Sequence, residues 1–93
     1  MSETLSQYKK EIMEGEIEKA ILGLKNYIET HNVSCEDEPF YLLGNAYRKQ
    51  GNWQMALNNY LEAIERNAES PAKQAYQMTM DILNFYNKDM YNQ

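Results

Sequence analysis

The chain has few residues that turn a backbone: two prolines and four glycines among 93 residues. That scarcity favours helices joined by short connections over loop-rich folds. It has one cysteine, Cys35, in a polar stretch. A lone cysteine excludes an internal disulfide and a multi-cysteine zinc site, and a reducing compartment is its simplest setting. Basic charge is also short: nine Lys and Arg stand against fourteen Asp and Glu, a net −5. Nucleic-acid binding draws most of its free energy from basic side chains displacing counterions, so no nucleic-acid partner is expected. An anionic membrane surface is disfavoured for the same reason. No apolar run approaches the roughly 20 residues that a membrane-crossing helix needs. Residues Met1 to Gln7 lack the basic patch and apolar run of a signal peptide. The expected setting is therefore cytoplasmic, with a complete chain forming one domain over residues 1–93.

What the chain does have is helical periodicity and tyrosine. Hydrophobic residues make up 43% and charged residues 25%, the balance of a soluble globular protein and not of a disordered one. Eight tyrosines accompany two phenylalanines and one tryptophan. Leu5, Tyr8 and Ile12 give a helical stripe over Glu3–Met13, which Gly15 ends by adopting a left-handed cap. A second helix is predicted from near Glu16 to Thr30, with Ile17, Ala20, Ile21, Leu24, Tyr27 and Ile28 as its apolar face. His31–Asp37 reads as a loop. Pro39 fits the first turn of a third helix that runs to Gln50. Gly51-Asn52 breaks it, and a fourth helix runs from Trp53 to Arg66 with Met55, Ala56, Leu57, Tyr60, Leu61, Ala63 and Ile64 inward. Ser70-Pro71 makes an N-cap and first-turn pair for a fifth helix ending near Tyr86, with Ala72, Ala75, Tyr76, Thr79, Ile82, Leu83 and Tyr86 as its stripe. Asn87–Gln93 is a polar tail carrying Met90 and Tyr91, expected to fray. With no alternating strand pattern, the fold class is all-α.

Internal similarity organises these helices. Gly15 and Gly51, Ile17 and Trp53, Ala20 and Ala56, Leu24 and Tyr60, and Tyr27 and Ala63 are each 36 residues apart. A helix–turn–helix hairpin therefore repeats, and hairpins that cannot bury their apolar faces alone must stack. In the second hairpin the run is Phe40-x2-Leu43-Gly44-x2-Tyr47, then Gly51, then Ala56-x3-Tyr60-x2-Ala63. This run resembles the tetratricopeptide repeat, whose pattern of about 34 residues reads W-x2-L-G-x2-Y and then A-x3-F. The resemblance covers residues 5–86 and is strongest to small, stand-alone bacterial members of the family. It implies a right-handed solenoid of helical hairpins: a degenerate repeat over 1–34, a firm repeat over 37–70, a capping helix over 71–87 and a tail over 88–93. Tyr8 stands where the pattern has glycine, and is expected to open the first hairpin. The inter-repeat loop carries two extra residues around Val33-Ser34-Cys35, and Ala68 replaces the closing proline.

No catalytic constellation emerges, so no enzyme activity, cofactor or metal is expected. His31 and Cys35 lie four residues apart in one loop without an orienting partner in view. The clusters Glu14-Gly15-Glu16 with Glu18, and Glu36-Asp37-Glu38, lack the alternation and glycine geometry of a calcium loop, and suit helix N-termini instead. Most tyrosines fall on inward stripes. Tyr41 does not: Tyr41, Asn45 and Arg48 share a face of the third helix distinct from that of Phe40, Leu43 and Tyr47. The family resemblance implies that this face lines a concave groove holding a peptide. Its positions here are Tyr41, Asn45, Arg48 and Lys49, with Leu5, Lys9, Ile12 and Met13 upstream and Ala75, Thr79, Ile82 and Leu83 downstream. Asn45 can hydrogen-bond a peptide backbone, and Arg48, Lys49 and Lys9 can attract carboxylates. The expected partner is a protein or peptide segment bearing acidic groups. The family's clamp for chaperone tails needs polar groups that Leu5, Leu42, Ala72 and Tyr76 replace, so that ligand is not expected. The alternative is a homodimer, self-associating through an open repeat end at Leu5, Ile12 and Met13 with Met90 and Tyr91.

Overall fold

Two glycines set the shape of the hairpins. In the computed structural model, which describes residues 3–86, Gly15 and Gly51 take left-handed backbone with φ of 88° and 86°. Each closes a helix in the same way. The Glu16 N–H donates to the Glu11 carbonyl at 2.8 Å, and the Asn52 N–H to the Tyr47 carbonyl at 2.9 Å. These six-to-one bonds satisfy carbonyls that a helix end leaves orphaned. The same stop thus recurs 36 residues along the chain.

The helices are α1 (Glu3–Met13), α2 (Ile17–Thr30), α3 (Glu38–Gln50), α4 (Trp53–Arg66) and α5 (Ala72–Tyr86). No strand occurs among the described residues, and the fold is all-α. Pro39 occupies the first turn of α3, where its missing N–H has no partner to lose. The Asn52 side chain accepts from the Met55 N–H at 3.3 Å to start α4. Ser70 Oγ accepts from the Ala72 N–H at 3.1 Å to start α5. The proposed tail, with Met90 and Tyr91, lies outside the described residues.

Helices α1 and α2 form one hairpin and α3 and α4 the next, with α3 seated against both α1 and α2, and α5 against α4. The stack measures 46 × 28 × 18 Å. Ala20, Ala46, Ala56 and Ala63 are completely buried, small residues at places where helices cross. Between them Leu24, Phe40, Leu42, Leu43, Tyr47 and Tyr60 fill the core.

The two hairpins solve one packing problem with opposite polarity. In the second, Gly44 of α3 receives the Tyr60 ring of α4, and a Cβ at Gly44 would overlap it. In the first, the ring comes from α1 and the glycine from α2: Tyr8 lies on Gly23, where a Cβ would overlap Tyr8. Thus Tyr8, standing where the pattern has glycine, is accommodated by a glycine on the facing helix. Helices α1 and α2 still pack less extensively than α3 and α4.

Burial corrects several assignments, among them Leu61 of α4, which is 48% exposed and not inward. Leu5 and Ile12 are core residues, while Met13 is 77% exposed. An open apolar end built from all three therefore does not exist. Glu11, 36 residues before Tyr47, is also buried; its Oε2 accepts from Gln7 Nε2 at 3.3 Å and lies 3.9 Å from Lys19 Nζ. At the other end, α5 buries Ala72, Ala75 and Thr79, each 33 residues after buried Pro39, Leu42 and Ala46 of α3. Ala75 and Thr79 therefore face the core and cannot line a groove. Arg66 ties the repeats together: its Nε donates to the Val33 carbonyl at 3.1 Å, and its guanidinium sits 4.0 Å over the Phe40 ring.

Candidate functional site

Helical spacing places Tyr41, Asn45 and Arg48 in successive turns along one side of α3. All three are partly buried, and one group joins them: the hydroxyl of Tyr60. The Tyr60 ring enters from α4, passes Gly44 and is fully buried. Its hydroxyl lies between Asn45 and Arg48. Arg48 Nε donates to it at 3.1 Å, and it donates to Asn45 Oδ1 at 2.6 Å. The Tyr41 ring stands beside it, with centroids 6.2 Å apart and planes at 41°. Burial pushes the Tyr60 phenol above its ordinary value, and the hydrogen bond and charge of Arg48 act against that rise.

This is a satisfied polar network on a packed apolar base. A buried tyrosine hydroxyl without a partner costs about 1–3 kcal/mol, so the two α3 side chains hold the ring's polar end as much as the ring holds them. Sequence reasoning assigned Tyr60 to core filling alone. The readable signal was a tyrosine where the repeat pattern has phenylalanine, since a buried phenol needs a partner.

The other two basic positions lie apart from this cluster. Lys49 is exposed in the last turn of α3. Lys9 of α1 reaches Glu38 Oε2 in the first turn of α3 at 3.6 Å, with 56% of its side chain exposed, an ion pair of small worth in water. The structure thus brings together Tyr41, Asn45 and Arg48 and leaves Lys9 and Lys49 flanking them.

The loop pair considered for chemistry is placed differently. His31 stacks on the Tyr27 ring at 4.0 Å, and its Nδ1 lies 3.0 Å from the Tyr27 carbonyl at the end of α2. Cys35 is exposed and free. No group of three or more His, Cys, Asp and Glu converges among the described residues.

Residues 38–70, the whole of α3 and α4, match the family model of the tetratricopeptide repeat. The fold is similar to the solution NMR structure of Bacteroides fragilis protein BF1650, with 58% sequence identity and a TM-score of 0.84 over 95% of this chain and 88% of that one. The chain belongs to the tetratricopeptide repeat family. No curated protein matches it. Tetratricopeptide repeats generally mediate protein–protein interaction and are non-enzymatic modules. Within this tetratricopeptide repeat protein, Tyr41, Asn45, Arg48, Lys49 and Tyr60 all lie in the matched repeat, whereas Lys9 lies in the hairpin before it. No described helix is long and apolar enough to cross a membrane.

Proposed function

We propose that this protein is a non-catalytic interaction module that binds a peptide segment of a protein partner along the face of α3. The observation that carries the reading is the cluster of Tyr41, Asn45 and Arg48 around the Tyr60 hydroxyl. It combines an aromatic surface, an amide and a guanidinium on a rigid base, the groups that grip an extended peptide by stacking, backbone hydrogen bonds and charge. Arg48 uses Nε internally, and its terminal nitrogens have no protein partner among the described residues. Lys49 adds positive charge at one end, while Lys9 at the other shares its charge with Glu38, on a chain of net −5. An acidic segment therefore meets local attraction here and repulsion over much of the remaining surface. The exposed, free Cys35 suits a reducing, cytoplasmic setting.

The test is capture of short acidic peptides on an array by the wild-type protein and by the Arg48→Glu, Asn45→Ala double variant. Capture is expected to be lost in the variant. Because both residues satisfy Tyr60, the variant's melting temperature must be measured alongside. The Lys49→Glu variant, which leaves that network intact, is expected to weaken capture without lowering the melting temperature. Undiminished capture by a folded double variant sinks the assignment.

A further inference from the structure

The direction of each hydrogen bond at Tyr60 fixes what the groove can offer a ligand. Arg48 Nε can only donate, so it occupies a lone pair of the phenol oxygen. The phenolic proton is then directed to Asn45. The 2.6 Å separation is the length of an O–H···O bond, shorter than the usual N–H···O distance, so the oxygen of the Asn45 amide faces Tyr60. Its NH2 is the half of the amide left for a ligand. Arg48, with Nε engaged, keeps the N–H groups of its two terminal nitrogens without a protein partner among the described residues. The ligand therefore meets amide and guanidinium donors, flanked by the ammonium of Lys49.

We propose that Tyr60 is a positioning residue that gives this stretch of the groove its donor polarity, and so selects carboxylate over carboxamide side chains in a bound peptide. The inference rests on the peptide-binding reading above and adds its specificity. The selection follows from geometry. A glutamate can accept from Asn45 and Arg48 with both oxygens, whereas a glutamine must turn its own NH2 toward one of these donors or leave a bond unmade. Without the phenol hydroxyl the Asn45 amide can reverse, the Arg48 side chain is untethered, and the site accepts either group. Tyr60→Phe keeps the ring seated on Gly44 and deletes only the atom on which the argument depends.

The test uses a panel of short peptides, each bearing one glutamate, with glutamine counterparts, titrated by fluorescence anisotropy. The wild type is expected to bind glutamate members roughly tenfold tighter than their counterparts, and Tyr60→Phe to narrow that ratio below about twofold. A ratio unchanged in Tyr60→Phe overturns the proposal, since a merely structural role would weaken both peptide classes equally. If neither protein binds any member, the peptide-groove reading and the selection built on it both fall. The orientation of Arg48 is then judged separately by NMR. Its Nε–H is expected to exchange slowly in the wild type and to merge with solvent exchange in Tyr60→Phe. An Nε–H signal identical in the two proteins overturns the positioning role even where peptides bind.

Discussion

Gly44→Ala tests the packing on which the site is built. The substitution adds one methyl to α3 at a point where the Tyr60 ring already occupies the space. Replacing glycine within a helix stabilises by about 1 kcal/mol through reduced backbone freedom in the unfolded chain. Overpacking of a core costs about 1–3 kcal/mol, depending on how freely the neighbour can withdraw. Tyr60 has little freedom: its ring is fully buried and its hydroxyl is held by Asn45 and Arg48. The upper end of that range applies, and the net effect is a loss of about 2 kcal/mol, a drop in melting temperature of roughly 10 °C for a chain of this size. Thermal melts followed by far-UV circular dichroism measure it directly. The same change made in the Tyr60→Leu background is expected to reverse sign and stabilise by about 0.5–1 kcal/mol, because the shorter side chain vacates the space while the helix preference remains. Gly23→Ala is the internal comparison. Tyr8 is only half-buried and can swing toward solvent, so a net change near zero is expected there. A Gly44→Ala protein that melts at or above the wild-type temperature, or an effect that is the same in both backgrounds, refutes the reasoning.

Arg66→Ala removes the guanidinium from Phe40 and the bond to the Val33 carbonyl together, and is expected to cost about 2 kcal/mol in urea denaturation. Asn52→Ala, which deletes the side-chain cap of α4, is expected to cost about 1 kcal/mol in the same assay. The raised pKa of Tyr60 makes folding tighten its proton, so its contribution is complete below the ordinary tyrosine value of 10.0 and is lost as pH rises through the higher folded value. Denaturation from about pH 9 to about pH 12 should therefore show a shallower fall in stability for Tyr60→Phe than for the wild type.

The helices were legible because their punctuation is strong. Gly15, Gly51, Pro39 and Ser70 each act through the local backbone, and local effects can be read from local sequence. The 36-residue spacing of Ala20 and Ala56 identified the hairpin for the same reason: a small residue is required wherever two helices approach closely. Helical spacing on α3 alone suffices to put Tyr41, Asn45 and Arg48 on one side of that helix. What could not be read was anything that depends on a facing helix. Leu5 and Ile12 have the spacing of groove positions, but the stack buries them. Ala75 and Thr79 stand 34 residues after Tyr41 and Asn45, whereas α5 matches the buried positions of α3 at a spacing of 33 and turns them inward. The Tyr60 hydroxyl meets Asn45 and Arg48 across a helix pair, over sequence separations that no single-helix pattern reports.

The opposite placement of ring and glycine in the two hairpins also determines which helices can share a hairpin. Suppose α1 were to pair with α4. Tyr8 would then meet Tyr60, two rings competing for a slot that holds one. Suppose instead that α3 took α2, in place of α4, as the second helix of its hairpin. Gly44 would lie beside Gly23 and Leu24, leaving empty the volume that an aromatic ring should occupy. Each mispaired hairpin is thus either overfilled or hollow, and only the α1–α2 and α3–α4 hairpins fit. A protein built from near-copies of one motif risks exchanging them, within a molecule or between two molecules during folding. Here the interchange of one tyrosine and one glycine makes the copies unequal, and guards against that exchange.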